Sequence, residues 1–389
     1  MSEATRACPG VMVMARTETY LDWNATTPLR PAAAAAMTAM FARCGNPSSV
    51  HRWGRTARHA VENARSAVGD LLSAPPEGVI FVSGGTEANH LALLGSERDR
   101  VLVSAVEHDS VLRAVPEAER IPVDHDGVVE LEMLDRLLAA DPRPALVSVL
   151  LANNETGVVQ PVAAIAAIAR AHGALFHCDA VQAAGKIALD VHRIGADLVT
   201  LSAHKLGGPP GIGALVVTGE LELAPLLRGG GQERGRRAGT ENLAGIAGFA
   251  AAAVAAAEEI AVYDSIRQLR DTLETSVVAV APETVVLGAA APRLPNTAAI
   301  AMPGVAAETQ VIALDLDGVM VSAGAACSSG KVGPSHVLEA MGAGPDLVGS
   351  TIRVSLGWDS SEADVADFLK AWTALYRRCR GSSGGARAA

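Results

Sequence analysis

The chain has 389 residues, 49% of them hydrophobic and 19% charged, with a formal net charge of −10. That acidic balance, with no basic cluster interleaved with aromatics, excludes a general nucleic-acid surface. Five cysteines without regular spacing exclude a disulfide framework and a zinc site and predict a reduced, cytoplasmic compartment.

The length predicts two domains rather than one compact core. Residues 1–18 form an N-terminal extension without the pattern of a signal peptide. Pro31 opens an Ala-rich helix, with proline in its first turn. A helix over 57–72 precedes a strand at 79–82, and a helix at 87–94 precedes a strand at 101–104. Helix 131–140, strand 146–151, helix 162–171 and strands 174–177, 198–201 and 214–217 follow, by apolar spacing and β-rich runs. Strands separated by helices imply an α/β fold, a largely parallel sheet covered on both faces. The arginine patch 228–237 is broken by glycines and the acid Glu233 and reads as a functional loop. The longest apolar run, 243–257, is too short to span a bilayer and predicts a core helix, so no membrane partner is expected. After it the character changes. A helix at 263–279, short strands near 297–301 and 352–355 and an amphipathic helix at 365–378 form the second part. The boundaries are therefore 19–262 for a large domain, 263–378 for a smaller one, and 379–389 for a flexible Gly/Ser/Ala-rich tail.

Polar residues able to do chemistry stand just beyond successive strands: Thr86, His108, Asn154, Asp179 and Lys205. In open α/β sheets that edge is where ligands bind. Lys205 is one of only four lysines, and it lies at the mouth of a buried strand. An amine held among apolar groups becomes a nucleophile able to form a Schiff base; the alternative is a snorkelling surface lysine. The turn Ser83-Gly84-Gly85-Thr86 leads into a helix and can receive an anion on free N–H groups, or can be an ordinary glycine turn with a threonine cap. Asp179 needs a cationic or N–H partner, either a pyridinium nitrogen or the start of the next helix. Gln182 lies about one helical turn beyond it. His108 can stack on a ring or shuttle protons, and Asn154 offers a neutral hydrogen bond. Cys327 lies among small residues in 321–331, a setting that predicts a mobile, accessible thiol, whereas Cys178 and Cys44 read as inert, buried or helical cysteines. Arg353 is either a fork for a carboxylate or a solvent-facing arginine on an edge strand.

In order, these residues resemble the class V aminotransferases that use pyridoxal 5'-phosphate. More narrowly they resemble the cysteine desulfurases of the nitrogen-fixation and iron–sulfur-cluster type. The resemblance covers roughly 20–378. It rests on Tyr20-Leu21-Asp22-Trp23-Asn24-Ala25-Thr26-Thr27-Pro28, on Gly45-Asn46-Pro47-Ser48-Ser49-Val50-His51, and on 83–89, 153–157, 202–205, 229–242 and the Cys327 loop. It implies a fold-type I transferase, with a mostly parallel seven-stranded sheet in the large domain and a smaller α+β domain.

By position, Lys205 would carry the cofactor as a Schiff base, Asp179 would pair with its ring nitrogen, and His108 would stack on the ring and move protons. Asn154 and Gln182 would bond the phenolic oxygen. Gly85, Thr86, Ser202 and His204 would hold the phosphate, with Thr240 reaching it from the second subunit of a homodimer. Arg353, with Asn46 nearby, would clamp the substrate carboxylate. Cys327 would take sulfur from L-cysteine as a persulfide, release alanine, and pass the sulfur to an iron–sulfur scaffold or another acceptor protein. No metal is implied beyond a transient iron–sulfur contact through Cys327. Ala325 and Pro210 stand where relatives often carry serine and lysine, and the short C-terminal end leaves the acceptor open. The rival readings are a selenocysteine lyase or another enzyme of the same family, and a non-catalytic scaffold paralogue, which would need none of Lys205, Asp179 and Cys327.

Overall fold

The computed structural model describes residues 18–324 and 334–385. Cys327 and nearly all of the expected N-terminal extension lie outside the described residues. The first part of the chain contributes β1 (Thr19–Tyr20), β2 (Val79–Val82), β3 (Arg100–Ser104), β4 (Glu119–Ile121), β5 (Ala145–Ser148), β6 (Leu175–Asp179), β7 (Leu198–Ser202) and β8 (Gly213–Val217). Strands β2 to β8 form one seven-stranded sheet in the order β2-β8-β7-β6-β5-β3-β4. The run from β7 to β4 is parallel, and β8 lies antiparallel to both its neighbours. Helices cover the two faces, so β2, β5, β7 and β8 are buried at every residue and read as apolar runs rather than alternating ones.

The middle of this sheet holds one polar chain. His177 of β6 is fully buried, with Nδ1 2.9 Å from Ser148 Oγ on β5 and Nε2 2.9 Å from Thr200 Oγ1 on β7. Burial lowers its pKa to about 4, so it is a neutral imidazole tying three parallel strands together directly beneath Asp179.

Several boundaries depart from the sequence expectation. The helix expected at 57 begins at Arg52, because the His51 imidazole caps it by accepting from Gly54 N at 3.3 Å. The strand expected to reach 151 ends at Ser148. Val149 N and Leu151 N still donate to β6, but between them Leu150 N turns away to the buried Glu107 carboxyl at 2.6 Å. Strand β4 escapes the pattern entirely, being a short strand at the sheet's edge with exposed Arg120 at its centre. The apolar helix Leu243–Glu258 packs under the helices Pro31–Phe41 and Arg52–Asp70 and buries Ile246, Phe249 and Ala252. No single helix among the described residues is long and apolar enough to cross a membrane.

The second part adds β9 (Val285–Leu287), β10 (Thr297–Ala301), β11 (Val319–Met320), β12 (Ser322–Ala323) and β13 (Thr351–Ser355). Four of these form an antiparallel sheet in the order β12-β13-β10-β9, while β11 pairs in parallel with β1. Helices Val262–Val280 and Glu362–Gly385 bury Ile266, Leu273, Phe368 and Trp372 against it in a separate core. Leu21, from the start of the chain, belongs to this second core. The last helix runs through Gly385, into the segment expected as a tail. Cys178 is buried in β6, where desolvation pushes its thiol pKa up. Cys44 is exposed and lies beyond the helix that ends at Phe41, which corrects the expectation of a buried or helical cysteine; Gly45 and Pro47 follow and the helix does not continue.

Candidate active site

A cavity of about 270 Å³ opens where the parallel strands end. Strand β6 delivers Asp179 to it, and β7 delivers Ser202 and then, through the short turn Ala203–Lys205, His204 and Lys205. The turn after β2 brings Gly85 and Thr86 at the start of the helix Gly85–Gly95. His108, Asn154 and Gln182 line it from the loops after β3, β5 and β6, and Arg353 reaches it from β13 of the other sheet. Two expected residues do not join them. Thr240 is exposed and lines a separate depression with Ser83, Glu233 and Arg237, and Asn46 is exposed with Oδ1 accepting from Ser48 N at 2.9 Å.

Asp179 is 7% exposed and accepts from Asn89 Nδ2 at 2.8 Å and Val181 N at 2.9 Å. Asn89 Nδ2 also donates to Ser110 Oγ at 2.8 Å, and Ser110 Oγ stands 2.8 Å from His108 Nδ1. A backbone N–H can only donate. Because Ser110 N points at the same Nδ1 at 3.1 Å, Nδ1 is the acceptor and the neutral ring carries its proton on Nε2. Asp179, Asn89, Ser110 and His108 thus form one chain that fixes the imidazole.

Lys205 is half-buried, its Nζ donating to the carbonyls of Asn24 at 2.5 Å and Ala25 at 2.7 Å. Beside it, burial and then the Lys205 charge lower the His204 pKa to about 4. Glu107, immediately before His108, is fully buried; desolvation and then the charge of Asp179 push its pKa well above the ordinary glutamate value. Arg353 is 2% exposed in an interior strand, which removes the edge-strand reading. Its Nη2 donates to Asp22 at 2.7 Å and Nη1 to Asn154 O at 3.1 Å, while the buried Nε–H has no partner among the described residues.

Arg237 of the arginine patch braces the turn after β2: its Nε pairs with Glu87 Oε1 at 2.9 Å, and Glu87 Oε2 accepts from Ser83 N at 2.8 Å. Burial works to raise the Glu87 pKa, but the bonds from Arg237 and Ser83 prevail and hold it below the ordinary value.

The sequence reading missed Asn24, Asn89, Glu107, Ser110 and Lys186. Asn24 is the most connected of them. It is 1% exposed, its Oδ1 accepts from Lys186 and Asn296, its Nδ2 donates to Asn154 O and Thr297 Oγ1, and its carbonyl accepts from Lys205 and Gln182. The usable signals were faint: Asn89 one helical turn after Thr86, Lys186 four residues after Gln182, Glu107 beside His108.

Residues 19–368 match the model of the family described as aminotransferase class-V. The chain belongs to that family. A cysteine desulfurase of Cereibacter sphaeroides is 41% identical over 382 residues, covering 94% of this chain and 97% of the relative. Among solved structures, a NifS-like protein from Rickettsia africae superposes with a TM-score of 0.86 at 34% identity, over 92% of this chain and 99% of that one. SspA in complex with cysteine superposes with a TM-score of 0.75 at 28% identity, over 87% of this chain and 98% of that one.

Enzymes of this family depend on pyridoxal phosphate, and the residues present fit it. A Cβ built on Gly85 would stand 3.1 Å from Val181 Cγ2, a contact the valine would have to relieve, so glycine suits the turn that opens the helix beside the cavity. The Asp179 carboxylate keeps lone pairs for a protonated ring nitrogen beyond the two bonds it accepts. One N–H of Gln182 Nε2 is engaged by Asn24 O at 3.0 Å, and the other is left without a partner among the described residues.

Proposed function

We propose that the chain is a cysteine desulfurase that takes the sulfur of L-cysteine and releases L-alanine. The observation that carries this reading is the convergence of Lys205, Asp179 and the buried Arg353 on one cavity in a chain of this family. Pyridoxal phosphate, held through Lys205, Asp179, Asn154, Gln182 and the Gly85–Thr86 turn with Ser202 and His204, supplies an aldehyde for the amine and an electron sink for the substrate's Cα. The chain's own residues do the rest. Arg353, which lines the cavity, receives the substrate carboxylate through its guanidinium. The Lys205 amine, kept in place by the two carbonyls, takes the Cα proton, and His108, its Nδ1 accepting from Ser110 N, helps to move protons in the cavity it lines. The Cys327 thiolate forms a bond to the substrate sulfur as the carbon–sulfur bond breaks, and the carbon fragment leaves as alanine after protonation.

The resulting persulfide serves an iron–sulfur scaffold or another acceptor protein in the cytoplasm. A homodimer completes the site. Thr240 is exposed outside its own chain's cavity, which suits a contact with the neighbour's phosphate, and Phe41, Val50 and Trp53 expose 74%, 87% and 60% of their surface for burial against a second copy. Residues 19–262 act as the cofactor-binding domain and 263–378 as the domain carrying Cys327. The test is alanine and sulfide release from L-cysteine by wild type, Lys205→Ala and Cys327→Ala. Both variants lose sulfide release; full turnover by Cys327→Ala would sink the desulfurase reading and leave another enzyme of the family.

A further inference from the structure

Lys186 is a second lysine at this site, and nothing in the reaction above uses it. It is 2% exposed, behind the cavity rather than in its lining. Its Nζ donates to Gln182 Oε1 at 2.8 Å and to Asn24 Oδ1 at 3.0 Å, and no carboxylate among the described residues pairs with it. Both acceptors are amide oxygens. An ammonium would bring three N–H groups to two acceptors, whereas an amine brings two, one for each. Burial, and then the charges of Lys205 and Arg353 that face it, lower the Lys186 pKa well below the ordinary lysine value, in agreement with that match.

The consequence falls on Gln182. An amide can present either end to a ligand, and the wrong end would repel an anion. With Oε1 engaged by Lys186 and one N–H engaged by Asn24 O, the amide has one orientation, and its remaining N–H is the donor that Gln182 can offer to the cavity it lines. We propose that Lys186 is a positioning residue for the cofactor site, locking the Gln182 amide so that a fixed N–H donor meets the anionic ring oxygen of pyridoxal phosphate. This rests on the reading of Lys205 as the residue that holds that cofactor. A donor on the ring oxygen favours the deprotonated form of the bound cofactor; a flipped amide presents an oxygen and favours retention of its proton.

The test is a pH titration of the absorbance of the holoenzyme, reconstituted with pyridoxal phosphate, for wild type, Lys186→Met, Gln182→Leu and the double variant. Lys186→Met shifts the midpoint upward by about one pH unit, the size expected for losing one hydrogen bond to a charged group. Gln182→Leu shifts it the same way, and the double variant shifts no further than Gln182→Leu alone, because the lysine acts through the amide. Lys186→Gln, which keeps a donor at that position, restores at least half of the shift. The melting temperature of each apoprotein is read beside the midpoint. An unshifted midpoint in Lys186→Met, shifts that add in the double variant, or a lowered melting temperature with no rescue by Lys186→Gln each overturn the proposal. A wild-type absorbance that borohydride does not bleach, or that persists in Lys205→Ala, overturns the reading of the site itself and the proposal with it.

Discussion

The two walls of the cavity are built in different ways. One wall comes from the large sheet: Asp179, Ser202 and Lys205 stand at or just beyond the ends of β6 and β7, and Gly85 opens the helix after β2. Each of those side chains is aimed by the element it terminates. The other wall comes from Asn24, Asn154 and Arg353, which belong to a loop near the start of the chain, a loop after β5 and a strand of the second sheet. They are held by hydrogen bonds among themselves, such as Asn24 Nδ2 and Arg353 Nη1 both donating to Asn154 O. The wall that regular structure positions carries the lysine and the aspartate, and the wall that tertiary contacts position carries Arg353 and the two asparagines.

Removing the centre of the second wall should have the largest effect. Asn24→Ala leaves Lys186, Asn296 and Thr297 short of partners inside the protein, and should cost about 2–4 kcal/mol in urea unfolding along with most of the turnover. A variant as stable as wild type would show that the wall does not depend on this residue.

Glu155 lies behind the same wall, fully buried, with Ser335 Oγ donating to its Oε2 at 2.5 Å. Burial raises its pKa to about 7 from 4.5, against the opposing pull of the Ser335 bond and the Arg353 charge. The folded protein therefore keeps a proton that the unfolded chain releases. This group's contribution is complete below the ordinary carboxylate pKa and is lost as pH rises toward 7, by up to about 3 kcal/mol. Glu155→Gln should remove that fall, so the difference between the two stability curves changes between pH 4.5 and 7; parallel curves would refute the assignment.

On the first wall, Gly85→Ala brings a Cβ to 3.1 Å from Val181 Cγ2 and should weaken pyridoxal phosphate binding about tenfold, with the fold intact. Equal affinity by equilibrium titration would mean that the cradle yields.

The same division explains what could be read from the residues alone. Strands buried on both faces leave apolar runs, and the polar residues after those runs fall at the sheet's edge by topology, so Asp179, Lys205 and their neighbours were legible without a fold. Asn24 sits in a polar loop whose side chain carries no reactive group, and its role exists only once Lys186, Thr297 and Asn296 are brought around it. Ser110 and Glu107 depend on Asn89 and Leu150 in other elements. The early start of the helix Arg52–Asp70 hid for a similar reason, since an imidazole cap leaves no recognisable pattern.

The bond from Asn24 N to Ser355 Oγ joins residues 331 positions apart, and Asp22 meets Arg353 across a similar interval. On a ribosome the second wall cannot close until β13 has emerged, when the large sheet has long been available to fold. The nascent chain therefore exposes Lys205 and Asp179 on a half-built rim before Arg353 and Ser355 arrive. Of the residues that line the cavity Arg353 is the last to be made, so a chain truncated before Thr351 would keep the Asn24 and Ala25 carbonyls beside Lys205 but lack the guanidinium that meets Asn154 O and Asp22.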